Sequence, residues 1–308
     1  MNKKSRNTNP ESLLFWDIET VRSSKQLDVN SEEFALYQYK FRDKETGELM
    51  PDAEVVKHYE KNAALYPAYN KIVCISVGFI KGDTLYYKAI TGDQKDIITE
   101  FYSLYNSNSL VSTTYNGLRF DTPMVRIKAF QSGVEVLAKD DISDAGVKPW
   151  TLEENNLDLM DLIKGSYYNP MSFAECCYLF GVKTPKGDIS GADVSRVYWE
   201  EGEEGLQRIA KYCNEDVRAL AELFCSITGR KGYIKNFVDK TGVKSEKPKL
   251  FEAIANSKSI SKEQEAQILA DLKTLKKKAD RLAYGELLSA ALLEEAVKYE
   301  DLLSKFKK

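Results

Sequence analysis

Short apolar runs alternate with segments of helical periodicity along most of the chain. Residues 13–16 form an apolar run that predicts a buried strand. The β-branched run at 71–80, the Gly82–Asp83 turn and the run at 84–90 together predict a β-hairpin. A further strand is predicted at 109–117.

Four segments place apolar residues at helical spacing. The predicted helices cover residues 93–105, 121–130, 171–181 and 205–227. Asp93 fits the N-cap of the first, Pro123 lies in the first turn of the second, and Gly181 ends the third. Residues 155–163 predict a strand or a strand-to-helix turn. Strands followed by helices, with a hairpin first, indicate an α/β fold in which helices cover a mixed sheet.

The segments outside this pattern suggest how the chain is divided. Residues 1–11 are basic and polar and predict a flexible leader before a domain at 12–227. Residues 22–70 are charged and tyrosine-rich without a clean period, which indicates an inserted lobe with some helix. Residues 228–308 predict a helical tail, with a helical hairpin near its end.

Composition excludes several classes of protein. The 308-residue chain is 43% hydrophobic and 30% charged, and no apolar run approaches the roughly 18 residues of a membrane span. The start of the chain does not have the pattern of a secretory signal, and the five cysteines include no CxxC pair, so we expect a reduced, cytoplasmic protein. His58 is the single histidine, which makes a Ser-His-Asp triad improbable.

Charge is distributed unevenly along the chain. The net charge is −3, but residues from 228 onward hold 18 Lys or Arg against 12 Asp or Glu, so the tail is basic and the remainder acidic. A basic tail is compatible with nucleic-acid contact, although lysines on a helical tail more often form a solvated face.

Two carboxylates end the first predicted strand. Side chains two apart on a strand share a face, so Asp17 and Glu19 should project together. Their mutual repulsion raises one pKa, and a hard divalent cation such as Mg²⁺ relieves it. A surface turn after the strand explains the same two residues, because the DxE pattern is common.

Two further segments favour the metal interpretation. Asp121 stands at a strand-to-helix junction shortly after Asn116, and Tyr212 and Asp216 lie four apart on one helix face. Each has an ordinary explanation, since Asp121 could cap a helix and the tyrosine–aspartate pair could be exposed. The order and spacing of all the segments together is harder to explain in that way.

These segments resemble the motifs of a known superfamily. FWDIET at 15–20, YNGLRFD at 115–121 and YCNEDV at 212–217 resemble the DEDD, or DnaQ-like, 3′–5′ exonucleases, in their tyrosine (DEDDy) variant. The chain is more closely similar to stand-alone predicted exonucleases related to the proofreading domain of family-B DNA polymerases. The resemblance covers roughly residues 12–226. One departure is Tyr115, where close relatives are expected to carry histidine.

The resemblance implies an RNase H-like fold that holds two divalent ions, Mg²⁺ with Mn²⁺ as a substitute. Asp17 would bridge both ions, and Glu19 and Asp216 would complete one site. Asp121 would hold the other. Tyr212, a phenol that is protonated at neutral pH, would orient the attacking water rather than act as the base.

The resemblance also implies candidate substrate contacts. The candidates are Thr20 near the terminal nucleotide, Asn116 and Phe120 near the penultimate one, and Lys186 on a phosphate. A phenylalanine such as Phe120 is more often a core residue, and the alternative for Lys186 is a solvated loop lysine. Asp158 and Asp161 flank a strand near the site and are interpreted as supporting residues.

The predicted function is metal-dependent release of nucleotides from 3′ ends of single-stranded nucleic acid, DNA in preference to RNA, in repair, replication or proofreading in trans. The predicted tail would bind nucleic acid or dock a replication or repair partner. Two alternatives stay open: an exoribonuclease of the RNase D type, and a non-catalytic nucleic-acid-binding module on the same fold.

Overall fold

A mixed six-stranded sheet organises the part of the chain that the computed structural model describes, which is residues 8–106, 110–134, 156–166, 169–184 and 188–242. Its strands are β1 (Leu13–Arg22), β2 (Asn70–Lys81), β3 (Thr84–Thr91), β4 (Val111–Thr114), β5 (Asn156–Asp158) and β6 (Asn236–Asp239). Their order is β5-β4-β1-β2-β3-β6. β2 pairs antiparallel with β1 and β3, and the other pairings are parallel. β2 therefore runs opposite to the other described strands.

Helices cover both faces of this sheet, as the sequence predicted. The described helices are α1 (Glu32–Lys40), α2 (Asp52–Asn62), α3 (Gln94–Asn106), α4 (Asp121–Ser132), α5 (Leu159–Lys164), α6 (Phe173–Phe180) and α7 (Val194–Ile227). α7 begins well before the predicted start at 205 and bends at Gly202, whose φ of 60° is a conformation that glycine adopts without strain. No helix in the described ranges has the length and apolar character needed to cross a bilayer.

Strand β1 lies at the centre of the sheet and contributes to two cores. Leu14 and Trp16 pack with α3 and α4, and the Trp16 indole N–H donates to the Ser112 hydroxyl at 2.7 Å. Leu13 and Phe15, on the opposite face, pack with α7. A strand buried on both faces needs consecutive apolar residues, which explains the unbroken run at 13–16.

The segment between β1 and β2 has a small core of its own. It forms α1, α2 and two 3₁₀ turns, Ala63–Leu65 and Pro67–Tyr69. Its buried side chains are Leu27, Phe34, Tyr37, Val55, Tyr59, Ala63 and Tyr69. Three of the tyrosines that made this segment unusual in sequence therefore serve packing rather than an exposed aromatic surface.

The structure differs from the predicted boundaries at both ends of the domain. Pro10–Ser12 is a 3₁₀ turn with Pro10 buried, so the predicted leader is ordered from this point. The compact unit runs to Gly242 rather than ending at 227, because β6 pairs with β3. The four residues of β6 are too few for an alternation of apolar and polar positions to identify a strand from sequence. The helical hairpin expected near the end of the chain, and residues 1–7, lie outside the described residues.

Candidate active site

Four carboxylates from three separate elements meet in one cleft of about 390 Å³. Asp17 and Glu19 come from β1, Asp121 from the start of α4, and Asp216 from α7. The remaining lining residues are Ile18, Leu65, Tyr115, Asn116, Phe120, Phe173, Tyr212 and Leu220. The cleft therefore combines a cluster of acids with apolar and aromatic walls.

Asp17 and Glu19 share a strand face because no irregularity separates them. They pair with Ser76 and Cys74 of β2 in continuous register, and the register shifts only after Glu19. Leu13 and Phe15 precede them on the same face and pack against α7. The strand thus directs its last carboxylates toward the helix that carries Tyr212 and Asp216.

Asp121 connects α4 to the acidic strand. It is the first residue of the helix, and the preceding Phe120 makes no side-chain cap. The Asp121 carboxylate is buried and accepts a hydrogen bond from the Ile18 backbone N–H at 3.2 Å. This bond holds the carboxylate beside Asp17 and Glu19, a role that a simple helix cap would not have.

Tyr212 and Asp216 lie one turn apart on α7. The Tyr212 hydroxyl interacts with the Asp216 carboxylate and lowers its pKa, although burial outweighs this effect and raises that pKa to about 7. Burial and the neighbouring acids raise the pKa of the Tyr212 phenol far above its usual value of 10. The phenol consequently stays protonated at neutral pH and acts as a hydrogen-bond donor.

The other acids of the cluster are also hard to ionise. Burial, followed by the charge of Asp216, raises the pKa of Asp17 well above its usual value. Burial and the neighbouring acids raise the pKa of Glu19 and Asp121 in the same way. Buried carboxylates this close cannot all be charged without an added cation, and an oxygen-rich set suits a hard divalent ion.

Cys213 is a site residue that sequence reasoning missed. One ligand atom each of Asp17, Glu19 and Cys213 lies within 4.8 Å of the others, a grouping that could hold a metal ion. The buried Cys213 thiol lies 3.5 Å from the Asp17 carbonyl oxygen and 3.7 Å from its Oδ2. Its only sequence signal was its place beside Tyr212.

Asp158 organises the loop that leads to Asp121. Its Oδ1 accepts the N–H of Asn116 at 2.8 Å and of Met160 at 3.0 Å, and its Oδ2 accepts the N–H of Leu118 at 3.2 Å. Asn116 has a φ of 63°, which is uncommon for a residue with a side chain. The carboxylate therefore stabilises a strained turn next to the site, as a supporting residue.

Of the predicted substrate residues, two line the cleft, one contacts the inserted lobe and one lies outside the described residues. Asn116 and Phe120 line the cleft. The Thr20 hydroxyl donates to the Ala64 carbonyl at 2.7 Å, so it is engaged with the inserted lobe. Lys186 lies outside the described residues. Tyr115 lines the cleft, while its hydroxyl donates to the Met171 carbonyl at 2.6 Å.

A known protein family matches the part of the chain that contains most of the cleft residues. Residues 65–269 match the profile of a family described as a predicted 3′-5′ exonuclease related to the exonuclease domain of PolB. That match includes Asp121, Tyr212 and Asp216, while Asp17 and Glu19 lie upstream of it, before the inserted lobe.

Curated relatives are archaeal enzymes much longer than the aligned segment. The DNA polymerase of Pyrococcus horikoshii is 28% identical over 152 residues, which is 46% of this chain and 12% of the polymerase. The DNA polymerase of Desulfurococcus sp. (strain Tok) is 28% identical over 153 residues, 46% of this chain and 19% of the polymerase. That of Thermococcus hydrothermalis is 26% identical over 145 residues, 44% of this chain and 9% of the polymerase.

The family match and the fold agree. The profile covers about two thirds of the chain, and the mixed sheet flanked by helices is the RNase H-like arrangement expected of such an exonuclease domain. The chain belongs to the family of predicted 3′-5′ exonucleases related to the exonuclease domain of PolB.

Proposed function

We propose that this chain is a metal-dependent 3′–5′ exonuclease that releases nucleotides from 3′ ends of single-stranded DNA. The observation that supports it is the meeting of four buried or half-buried carboxylates, remote in sequence, in one cleft. A binding module gains nothing from acids placed against phosphates, because like charges repel. The acids therefore favour a catalytic site over a non-catalytic module.

The donor set fits two divalent cations, Mg²⁺ with Mn²⁺ as a substitute. Asp17 and Glu19 on β1, Asp121 on α4 and Asp216 on α7 would hold them through carboxylate oxygens. Bound divalent cations supply charge stabilisation at the phosphate and lower the pKa of the attacking water. The raised pKa values show that ionised carboxylates are unfavourable in this buried cluster, and bound cations would offset the unfavourable energy.

Tyr212 is proposed to position the nucleophile rather than to take its proton. The high pKa of the phenol keeps its proton in place, so its hydroxyl can donate but not act as a base. Asp216 lies one turn further along α7, and its carboxylate interacts with this hydroxyl. A water held next to both groups would be oriented for attack on the phosphate.

The substrate is proposed to be an unpaired DNA end. The cleft volume of about 390 Å³ lies at the small end of ligand sites, which run from roughly 300 to 1,000 Å³, and suits one nucleotide. Tyr115, Phe120 and Phe173 give the lining aromatic faces on which bases can stack. The preference for DNA rests on the relatives, which are DNA polymerases.

Digestion of end-labelled oligonucleotides tests this function. The wild-type chain should shorten 5′-labelled single-stranded DNA one nucleotide at a time in Mg²⁺ and not in EDTA. Asp17→Ala should abolish the ladder, and Glu204→Gln, an exposed carboxylate on α7, should leave it unchanged. Faster digestion of matched RNA would instead support the exoribonuclease, since the 2′-OH distinguishes the substrates. No product in Mg²⁺ or Mn²⁺ would support the non-catalytic module.

The end of the chain is proposed to add affinity for nucleic acid or for a replication or repair partner. Residues 243–308 carry more Lys and Arg than Asp and Glu. Because the compact unit extends to Gly242, the deletion to test removes residues 243–308 only. A shallower salt dependence of DNA affinity would indicate direct contact, whereas an unchanged slope would indicate a protein partner.

A reducing, cytoplasmic location is part of the proposal. All five cysteines of the chain are buried and free. Free thiols are the rule where glutathione and thioredoxin keep them reduced. Fractionation of the host cell, followed by detection of the protein in each fraction, tests the location directly.

A further inference from the structure

An exposed leucine from the inserted lobe lines the same cleft as the carboxylates. Leu65 ends the 3₁₀ turn Ala63–Leu65, and 56% of its surface is accessible. A single exposed leucine is ordinary and needs no explanation by itself. Leu65 differs from the other exposed leucines of the described residues because it lines the cleft that contains Asp17, Glu19 and Asp216.

The turn that carries Leu65 is fixed to the acidic strand. The Ala64 carbonyl accepts a hydrogen bond from the Thr20 hydroxyl at 2.7 Å and another from the Asn70 side-chain amide at 2.6 Å. Thr20 directly follows Glu19, at the point where the register of β1 and β2 shifts. The backbone around Leu65 is therefore tied to the strand that bears two of the carboxylates.

A second anchor holds the neighbouring turn. The buried Lys128 ammonium of α4 donates to the carbonyls of Pro67 and Asn70, the former at 2.7 Å. This side of the lobe is thus attached both to β1 and to α4. An apolar side chain on a fixed backbone loses little additional conformational freedom when a ligand packs against it.

The chemistry of the lining indicates what Leu65 would contact. The other apolar lining residues include Tyr115, Phe120 and Phe173, which come from the end of β4 and the starts of α4 and α6. Apolar and aromatic groups suit the faces of a nucleobase, while the carboxylates suit cations that accompany its phosphate. Leu65 is the lining residue that the lobe adds to these aromatic side chains.

We propose that Leu65 packs against the base of the 3′-terminal nucleotide and thereby sets the affinity for an unpaired 3′ end. This inference rests on the proposed function and names a specificity contact within the same site. The contact is present in the bound substrate and in the transition state alike, so it affects binding rather than the rate of the chemical step.

A cycle of protein and substrate changes tests this contact. Affinity is measured by fluorescence anisotropy in Ca²⁺, with oligonucleotide integrity checked on a gel, for a normal 3′ end and for a 3′ end that lacks its base. The proteins are the wild type, Leu65→Ala and the matched control Leu36→Ala. Leu36 is 54% exposed and lies on α1 of the same lobe, outside the cleft lining.

Leu65→Ala should weaken binding of the normal end by about fivefold, the equivalent of roughly 1 kcal/mol. On the end without a base, it should bind within about twofold of the wild type, because the partner of Leu65 is already gone. The kcat at saturating substrate should change little, and Leu36→Ala should behave as the wild type. Circular-dichroism melting curves verify that both variants fold.

Two results would overturn this inference separately from the proposed function. An equal loss on both kinds of end would show that Leu65 does not contact the base. A fall in kcat with unchanged affinity would place its effect on the reaction instead. If the wild type neither binds nor shortens 3′ ends, the proposed function itself is wrong, and this inference with it.

Discussion

Replacing Asp216 with asparagine is expected to stabilise the metal-free protein. Burial raises the pKa of Asp216 from 3.8 to about 7. Since each pKa unit corresponds to about 1.4 kcal/mol, an ionised Asp216 costs the folded state about 4 kcal/mol once its titration is complete. Asp216→Asn removes this ionisation while it retains the size of the side chain.

The expected gain depends on pH in a definite direction. Because the folded-state pKa exceeds the unfolded-state value, the proton on Asp216 stabilises the folded protein fully below about pH 3.8, and this stabilisation is lost as the pH rises through about 7. Its loss amounts to about 2 kcal/mol at pH 5 and about 4 kcal/mol at pH 7.5. The advantage of Asp216→Asn should therefore grow by about 2–3 kcal/mol over this interval.

Urea denaturation in EDTA measures this advantage as the difference in the free energy of unfolding between Asp216→Asn and the wild type. Circular dichroism follows the unfolding at several values between pH 5 and pH 7.5. Glu204→Gln, an exposed carboxylate on α7, is the matched control. Added Mg²⁺ should stabilise the wild type more than Asp216→Asn, because one proposed ligand is missing from the variant. A variant less stable than the wild type at pH 7.5, or an advantage that does not change with pH, would refute the reasoning.

Three further substitutions test the surroundings of the cluster. Asp158→Ala leaves three backbone N–H groups without their acceptor and should lower the free energy of unfolding by about 3 kcal/mol in urea titrations; an unchanged midpoint would mean that water replaces the carboxylate. Gly117→Ala places a methyl group 2.3 Å from the Thr114 hydroxyl oxygen and should cost about 1–3 kcal/mol, read from the thermal midpoint. Tyr212→Phe should slow single-turnover cleavage about tenfold, the loss of one hydrogen bond, while calorimetry shows Mg²⁺ binding retained; a loss as complete as that of Asp17→Ala would give the tyrosine a larger role.

The sequence predicted most of the sheet and the origin of the acids. The apolar run before Asp17 and the β-branched run of β2 are long, and their patterns identify strands without tertiary information. The alternation of side chains along a strand was sufficient to place Asp17 and Glu19 on one face. The structure agrees on both points, since the two residues line one cleft.

Other features depend on contacts that a single sequence does not display. β6 has four residues and owes its place to pairing with β3, so its own pattern carries no signal. The closeness of Cys213 to Asp17 and the three bonds of Asp158 arise from elements far apart in the chain. The family resemblance suggested a substrate contact for Thr20, and nothing in the sequence indicated that its hydroxyl donates to the Ala64 carbonyl of the lobe.

The lobe begins and ends at neighbouring points of the sheet. Arg22 and Asn70 are register partners at the end of the β1–β2 ladder, so everything between them is, topologically, the loop of a hairpin. The entropic cost of closing such a loop increases only slowly with its length. A longer loop therefore leaves the order of the strands unaffected. A catalytic scaffold of this kind can exchange one hairpin loop for another, and with it one wall of the cleft, while the carboxylates of the neighbouring strand stay where they are.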